Sequence, residues 1–73
     1  MSKELENIGR NIHIILYDKK MSKSELAEKV GISQQMVSEI VAGNKAPKVS
    51  TLIKIANVLG VTVDELINKE EGK

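Results

Sequence analysis

Apolar residues recur every three or four positions along most of this chain, which is the period of an α-helix and not of a β-strand. The first such stripe predicts helix 1 over residues 4–19. The stripe consists of Leu5, Ile8, Ile12 and Ile15, and it is widened by Ile14 and Leu16. A stripe this wide predicts burial against more than one neighbouring helix. His13 falls on the polar side and is expected at the surface, and Met21 is expected to fill space between helices 1 and 2.

Residues 22–43 predict two short helices joined by a tight turn. Ser22 and Glu25 have the spacing of a capping box, in which both side chains bond to backbone amides at a helix start. Gly31 can adopt the left-handed backbone that ends a helix, and Ser33 is the expected N-cap of helix 3. The expected buried positions are Leu26, Ala27 and Val30 on helix 2, and Val37 and Ile40 on helix 3, which ends at Gly43.

Helix 4 is expected over about residues 49–59, after a short loop at 44–48 that Pro47 stiffens. Its start is open between Val49, as the first helical residue, and Ser50, as an N-cap. Gly60 ends it. The expected buried face contains Val49, Leu52, Ile55, Ala56 and Leu59.

Helix 5 is expected over about residues 63–69, where Val63, Leu66 and Ile67 would be buried. Thr62 and Glu65 form a second capping box at its start, with Val61 placed as a hydrophobic staple. We therefore predict an all-α fold, a compact five-helix domain over residues 1–69. Residues 70–73 are expected to be a frayed tail.

The composition of the chain indicates one small domain with an aliphatic core. The chain has 73 residues, of which 41% are hydrophobic and only one, Tyr17, is aromatic. It contains no cysteine, so disulfides and thiolate metal sites are excluded. No apolar run approaches the roughly 20 residues of a membrane helix, and the N-terminus lacks the apolar segment of a signal peptide. We expect a soluble cytoplasmic protein.

Positive charge is concentrated in the middle of the chain, although the net charge is only +1. Residues 19–54 contain seven lysines against three glutamates. This could be ordinary solvated lysine, but it could also complement a polyanion. The outward face of helix 3 has Gln34, Gln35, Ser38 and Glu39. Two short helices with such a polar second helix are typical of a helix-turn-helix that reads DNA bases.

The residues that enzymes use are scarce in this sequence. There is a single histidine, His13, and neither a second histidine, a cysteine nor a paired carboxylate is positioned to assist it. A Gly-rich phosphate loop is also missing. The sequence therefore predicts no enzyme, no cofactor, no metal site and no small-molecule ligand.

Several motifs occur together and in order, and together they resemble the lambda-repressor/Cro-type (Xre family) of regulators over about residues 8–67. They are the pair Leu26-Ala27, the turn glycine Gly31, the loop Gly43-x-x-x-Pro47 and the ending Leu59-Gly60-Val61-x-Val63-Asp64-Glu65-Leu66. The resemblance implies a lambda-repressor-like domain of five helices. It also implies that helix 3 lies in the major groove, commonly as a dimer on a palindromic operator.

Two features depart from the family pattern, one at a pair of positions and one at a single position. Members commonly carry an arginine late in helix 1, paired with a glutamate near the end of helix 3, and here these positions are Leu16 and Val41. An apolar pair in place of a buried ion pair is often neutral or stabilising, so we expect Leu16 and Val41 to be in contact. Lys23 stands where the family most often has a glutamine that holds a phosphate. Lysine can still meet a phosphate as a point charge.

The expected DNA contacts fall into two groups. Base contacts are assigned to Gln34, Gln35, Ser38 and Glu39 on helix 3. Backbone contacts are assigned to Ser22, Lys23, Ser33, Asn44, Lys45 and Lys48, with Arg10 as a weaker candidate. Glu39 has a second interpretation, as an intramolecular partner of a lysine.

These features favour a sequence-specific DNA-binding transcriptional regulator, a repressor that occupies its operator as a homodimer. The dimer contact is expected at the exposed parts of helix 5, near Val63 and Ile67. An alternative function is a protein-interaction module, such as an antitoxin or a bridging protein. A docking surface of that kind would show exposed aliphatic or aromatic residues on helix 3. The sequence is compatible with a whole protein or with part of a longer regulator.

Overall fold

The computed structural model describes residues 3–68, and within this range the chain forms five α-helices and no β-strand. The helices are α1 (Lys3–Lys19), α2 (Lys23–Val30), α3 (Gln34–Val41), α4 (Val49–Leu59) and α5 (Val63–Ile67). The predicted all-α fold is confirmed. The predicted tail at 70–73 and the last residue of predicted helix 5 lie outside the described residues.

Helix boundaries follow local capping chemistry. The Ser22 hydroxyl accepts a hydrogen bond from the Glu25 amide at 3.0 Å, and the Thr62 hydroxyl accepts one from the Glu65 amide at 3.0 Å. The Glu65 carboxylate returns a bond to the Thr62 amide at 2.8 Å, which completes the box at α5. At α2 the structure contains only the serine half of the predicted box. Gly31 ends α2 with a φ of +89°.

The start of α4 follows the first of the two expected alternatives, in which Val49 is already helical and Ser50 is not the N-cap. Lys48 occupies the N-cap position without a side-chain capping bond, and Val49 is the first helical residue. Val49 is 74% exposed, so its predicted burial is wrong. The apolar spacing of α4 continues to its first residue, but the neighbouring helices do not cover that end. Ile53, one turn further on, is 45% exposed.

Thirteen buried aliphatic residues form the core, in which α1 packs against α3 and α5, α2 packs against α3 and α4, and α4 packs against α5. They are Ile8, Ile12, Leu16, Leu26, Ala27, Val30, Val37, Ile40, Leu52, Ile55, Ala56, Leu59 and Leu66. Met21, Val63 and Ile67 are half-buried against this core. Ile14 is 39% exposed because it lies two residues, about 200° around the helix, from Ile12. It therefore does not widen the buried stripe as predicted.

The α1–α3 contact depends on a glycine in the middle of α1. Gly9 is buried, and a methyl group built on its Cα would lie 2.6 Å from the Ile40 carbonyl oxygen and closer still to that of Val41. Both atoms belong to the α3 backbone, which cannot rotate away. Glycine in a helix interior costs about 0.5–1 kcal/mol relative to alanine. Here it allows two helix backbones to approach closely.

The α1–α5 contact depends on a buried amide. Asn11 is 5% exposed and lies on the apolar side of α1. Its Nδ2 group donates to the carbonyls of Glu65 at 3.1 Å, Leu66 at 2.7 Å and Asn68 at 2.8 Å. The last carbonyls of a helix have no intrahelical donor. Asn11 therefore supplies a cap for α5 from another helix.

None of the helices within residues 3–68 has the length and hydropathy needed to cross a lipid bilayer.

Candidate nucleic-acid interface

The α2–turn–α3 unit is held by a short set of backbone and cap bonds. The amides of Gly31 and Ile32 both donate to the Ala27 carbonyl, at 2.8 and 3.0 Å, and close the end of α2. The Ser33 hydroxyl then accepts from the Met36 amide at 3.0 Å and starts α3. Val37 is buried in the core, which fixes the rotation of α3 about its own axis. That rotation decides which side chains face outward.

The outward face of α3 carries the four residues expected to contact bases. Gln34 and Gln35 are exposed in its first turn, whereas Ser38 and Glu39 are half-buried. Within the described part of the chain, neither glutamine amide has a hydrogen-bond partner. Each amide therefore offers a donor and an acceptor to a partner outside the domain.

The two N-cap serines retain a donor after capping their helices. Ser22 and Ser33 are exposed, and each hydroxyl uses its oxygen to accept an amide bond. A hydroxyl that accepts in this way can still donate its hydrogen. Both serines can thus donate to an anionic oxygen at a helix N-terminus, where the helix dipole also favours negative charge.

The chain reverses at the end of α3 and brings a lysine back beside that helix. The Gly43 amide donates to the Ile40 carbonyl at 3.0 Å, and the Asn44 amide donates to the Glu39 carbonyl at 2.9 Å. Gly43 has a φ of +79°, a backbone conformation that favours glycine. After this turn, Lys45 Nζ lies 3.8 Å from Glu39 Oε1. In the free domain Glu39 therefore pairs with a lysine, as one of its two interpretations expected, and its base contact stays a prediction.

The three lysines predicted to contact the DNA backbone line two separate depressions, whereas Arg10 is exposed and lines neither. Lys45 and Lys48 line a cavity of about 270 Å³ beside α3, whose apolar floor includes Ile32, Met36 and Ile40. This volume is below the roughly 300–1,000 Å³ of typical small-molecule sites.

The second depression lies where α1 meets the start of α2. Lys23 is half-buried there and shares it with His13 and Tyr17. The predicted exposure of His13 is confirmed. Tyr17 is not among the residues expected at this surface, and the structure shows it exposed in the same depression as Lys23.

The two positions at which the family commonly carries an ion pair both join the apolar interior. Leu16 is 5% exposed within the core, and Val41 packs against that core while half-buried. No charge is therefore buried at either position. Direct contact between the two side chains stays a prediction.

These features define a class of protein: a small helix-turn-helix domain whose second helix exposes unpaired polar side chains. The sequence profile of the helix-turn-helix family matches residues 16–66 of the chain. An immunity repressor protein of Bacillus phage phi105 is 30% identical over 63 residues, which cover 86% of this chain and 44% of the repressor. The chain thus spans less than half the length of that relative.

Solved structures agree with this match. The master regulator for biofilm formation SinR, crystallised in complex with DNA, is 35% identical and has a TM-score of 0.78. The match covers 84% of this chain and 98% of that one. A chain of the complex between SinR protein and SinI protein is 34% identical with a TM-score of 0.80, over 88% of this chain and 63% of that one. The chain belongs to the helix-turn-helix family, of the lambda-repressor/Cro type that its residues resemble.

Proposed function

We propose that this domain is a sequence-specific DNA-binding regulator of transcription that inserts α3 into the major groove. The observation that carries the proposal is the pair of exposed, unpartnered amides of Gln34 and Gln35 in the first turn of α3. Recognition helices contact base edges mainly with their N-terminal residues. The likeness to a regulator solved on DNA supports the same use of this surface.

Base readout would rest on the outward face of α3. A glutamine amide presents a donor and an acceptor that match N7 and the N6 amino group of adenine. Ser38 lies one turn further along and can donate or accept. Glu39 can accept from the N4 amino group of cytosine. These contacts would give sequence preference, because the major groove presents a different donor and acceptor pattern for each base pair.

Backbone contacts would fix the domain on the duplex. Ser22 and Lys23 at the start of α2, and Ser33 at the start of α3, can meet phosphates through their hydroxyls and the lysine ammonium. Asn44, Lys45 and Lys48 follow α3 and would reach the flanking phosphates. Such contacts add affinity on every sequence and make binding salt-dependent.

Repression would follow from occupying an operator, with two copies of the domain on a palindromic site. Symmetric half-sites place two recognition helices about 34–36 Å apart, one DNA turn. Val63 and Ile67 of α5 are half-buried against the core and keep part of their surface for a second copy.

Selection of bound duplexes from a random pool, followed by gel shifts at 50 and 200 mM salt, tests the proposal. We expect enrichment of one sequence with two-fold symmetry and an affinity that falls steeply with salt. Recovery of unenriched DNA, or no shift at 50 mM salt, would contradict it.

A protein-interaction module is the second candidate, and the likeness to the complex of SinR with SinI protein favours it. Within residues 3–68 the large exposed apolar side chains are Ile14, Tyr17, Val49 and Ile53, none of which lies on α3. A docking surface on α3 is therefore disfavoured, whereas one on α4 is compatible with DNA binding by α3. The gel shift separates the candidates, because a pure docking module would not shift DNA.

A further inference from the structure

The ion pair between Glu39 and Lys45 joins a residue of the base-reading face to a residue of the flanking backbone group. Their charged atoms are 3.8 Å apart, and the side chains are 41% and 51% exposed. The Asn44 amide, bonded to the Glu39 carbonyl, turns the chain so that residue 45 returns to residue 39. The loop backbone therefore places the two side chains within reach of each other.

On DNA, the two residues of this ion pair would bind different groups. The Lys45 ammonium would neutralise a phosphate, and the Glu39 carboxylate would need a hydrogen-bond donor such as the cytosine amino group. Exposed ion pairs contribute little to stability and break readily. Breaking the ion pair would leave the Glu39 carboxylate unpaired near phosphates, which repel it. The pair therefore breaks easily only where a base donates a hydrogen bond to Glu39.

We propose that Glu39 is a specificity-determining residue that acts through Lys45. On DNA without a donor for Glu39, the carboxylate competes with the phosphate for Lys45, and the phosphate contact is weakened. On DNA with that donor, Glu39 turns to the base and Lys45 is released to the phosphate. One ion pair thus links a base contact to a backbone contact. This inference rests on the proposed DNA-binding function.

The test measures binding of a labelled 20-base-pair duplex of random sequence by fluorescence anisotropy at 50, 100 and 200 mM salt. Four proteins form a double-mutant cycle: the natural chain, Glu39→Gln, Lys45→Gln and the double variant. Glu28→Gln is the matched control, because Glu28 is an exposed carboxylate on α2 outside the pair. Far-UV circular dichroism establishes that each variant is folded.

Glu39→Gln is expected to tighten binding to random DNA about three- to fivefold at 100 mM salt, and to steepen the salt slope by up to about 0.9, the value of one phosphate. In the Lys45→Gln background the same change is expected to tighten binding less than twofold and to leave the slope unchanged. Glu28→Gln should change binding less than twofold. On the selected site, the ratio of specific to random affinity should fall three- to tenfold with Glu39→Gln.

Equal tightening by Glu39→Gln in both backgrounds would overturn the inference, because the carboxylate would then act by direct repulsion of phosphates. No tightening in either background would overturn it as well. Both results would leave the proposed DNA-binding function intact. A failure of all five proteins to bind any duplex at 50 mM salt would instead remove that function, and the inference with it.

Discussion

The inner side of α1 and the outer side of α3 use polar and small residues in opposite ways. On α1, Gly9 lies against the α3 backbone, and the Asn11 amide bonds to three carbonyls at the end of α5. On α3, the amides of Gln34 and Gln35 are exposed and have no hydrogen-bond partner within residues 3–68. The residues on α1 contact other helices of the domain and so fix the fold. The glutamine amides on α3 have unused hydrogen-bond donors and acceptors, which are available to a binding partner.

This comparison predicts that changes on α1 reduce stability and that changes on α3 reduce binding alone. Gly9→Ala should have the largest effect, a loss of about 3 kcal/mol in the free energy of unfolding, because the added methyl group meets α3 backbone oxygens. Urea unfolding followed by far-UV circular dichroism measures it. Gly31→Ala is the control, since the space there is open and only the left-handed backbone costs about 1 kcal/mol. Equal losses for both would refute a close helix contact at Gly9.

Asn11→Ala should come next, with a loss of about 2 kcal/mol, because carbonyls at the end of α5 lose a buried donor. The same unfolding experiment applies. Asn57→Ala on the exposed side of α4 is the matched control and should stay within about 0.5 kcal/mol. A similar small change for Asn11→Ala would mean that α5 does not depend on this amide.

Gln34→Ala and Gln35→Ala should weaken binding to the preferred sequence by about 1–3 kcal/mol and leave the unfolding free energy within about 0.5 kcal/mol. Anisotropy titrations on the selected duplex and on random DNA measure the first effect. An equal loss on both duplexes would take these residues out of base readout, and a loss of stability would break the distinction between α1 and α3.

Lys48→Ala should have the smallest effect, a uniform weakening on all sequences. We expect the slope of log affinity against log salt to become shallower by about 0.9, since one phosphate contact is lost. Lys48 makes no side-chain cap at α4, so stability should hardly change. Lys54→Ala, an exposed lysine further along α4, is the matched control. A slope equal to that of the natural chain would remove Lys48 from the backbone contacts.

Much of this fold could be predicted from the sequence because its helix ends are encoded locally. Ser22, Gly31, Ser33 and the Thr62–Glu65 box each act over three or four residues, and the structure places a helix end at each. Apolar spacing, which also repeats over three or four residues, predicted most of the core. It failed at Ile14, which lies on the opposite side of α1 from Ile12, and at Val49, because spacing cannot say where neighbouring helices stop covering a helix.

The close contacts of α1 could not be derived in the same way. A glycine inside a helix and an asparagine among isoleucines are visible anomalies, but their partners lie 31 or more residues away in sequence for Gly9 and 54 or more for Asn11. The outward residues of α3 followed from the helical period. The pairing of Glu39 with Lys45 did not, because it depends on the loop conformation after Gly43.

The aliphatic core has an optical consequence. Tyr17 is the only aromatic residue of the chain, and it is 80% exposed. Its phenol meets water in the folded and the unfolded chain alike, so its intrinsic fluorescence hardly reports folding. It does line the same depression as Lys23 at the start of α2, a residue that we propose contacts a phosphate. A decrease in Tyr17 fluorescence would therefore report DNA binding near α2. No attached dye is needed, because no other aromatic residue contributes to the emission.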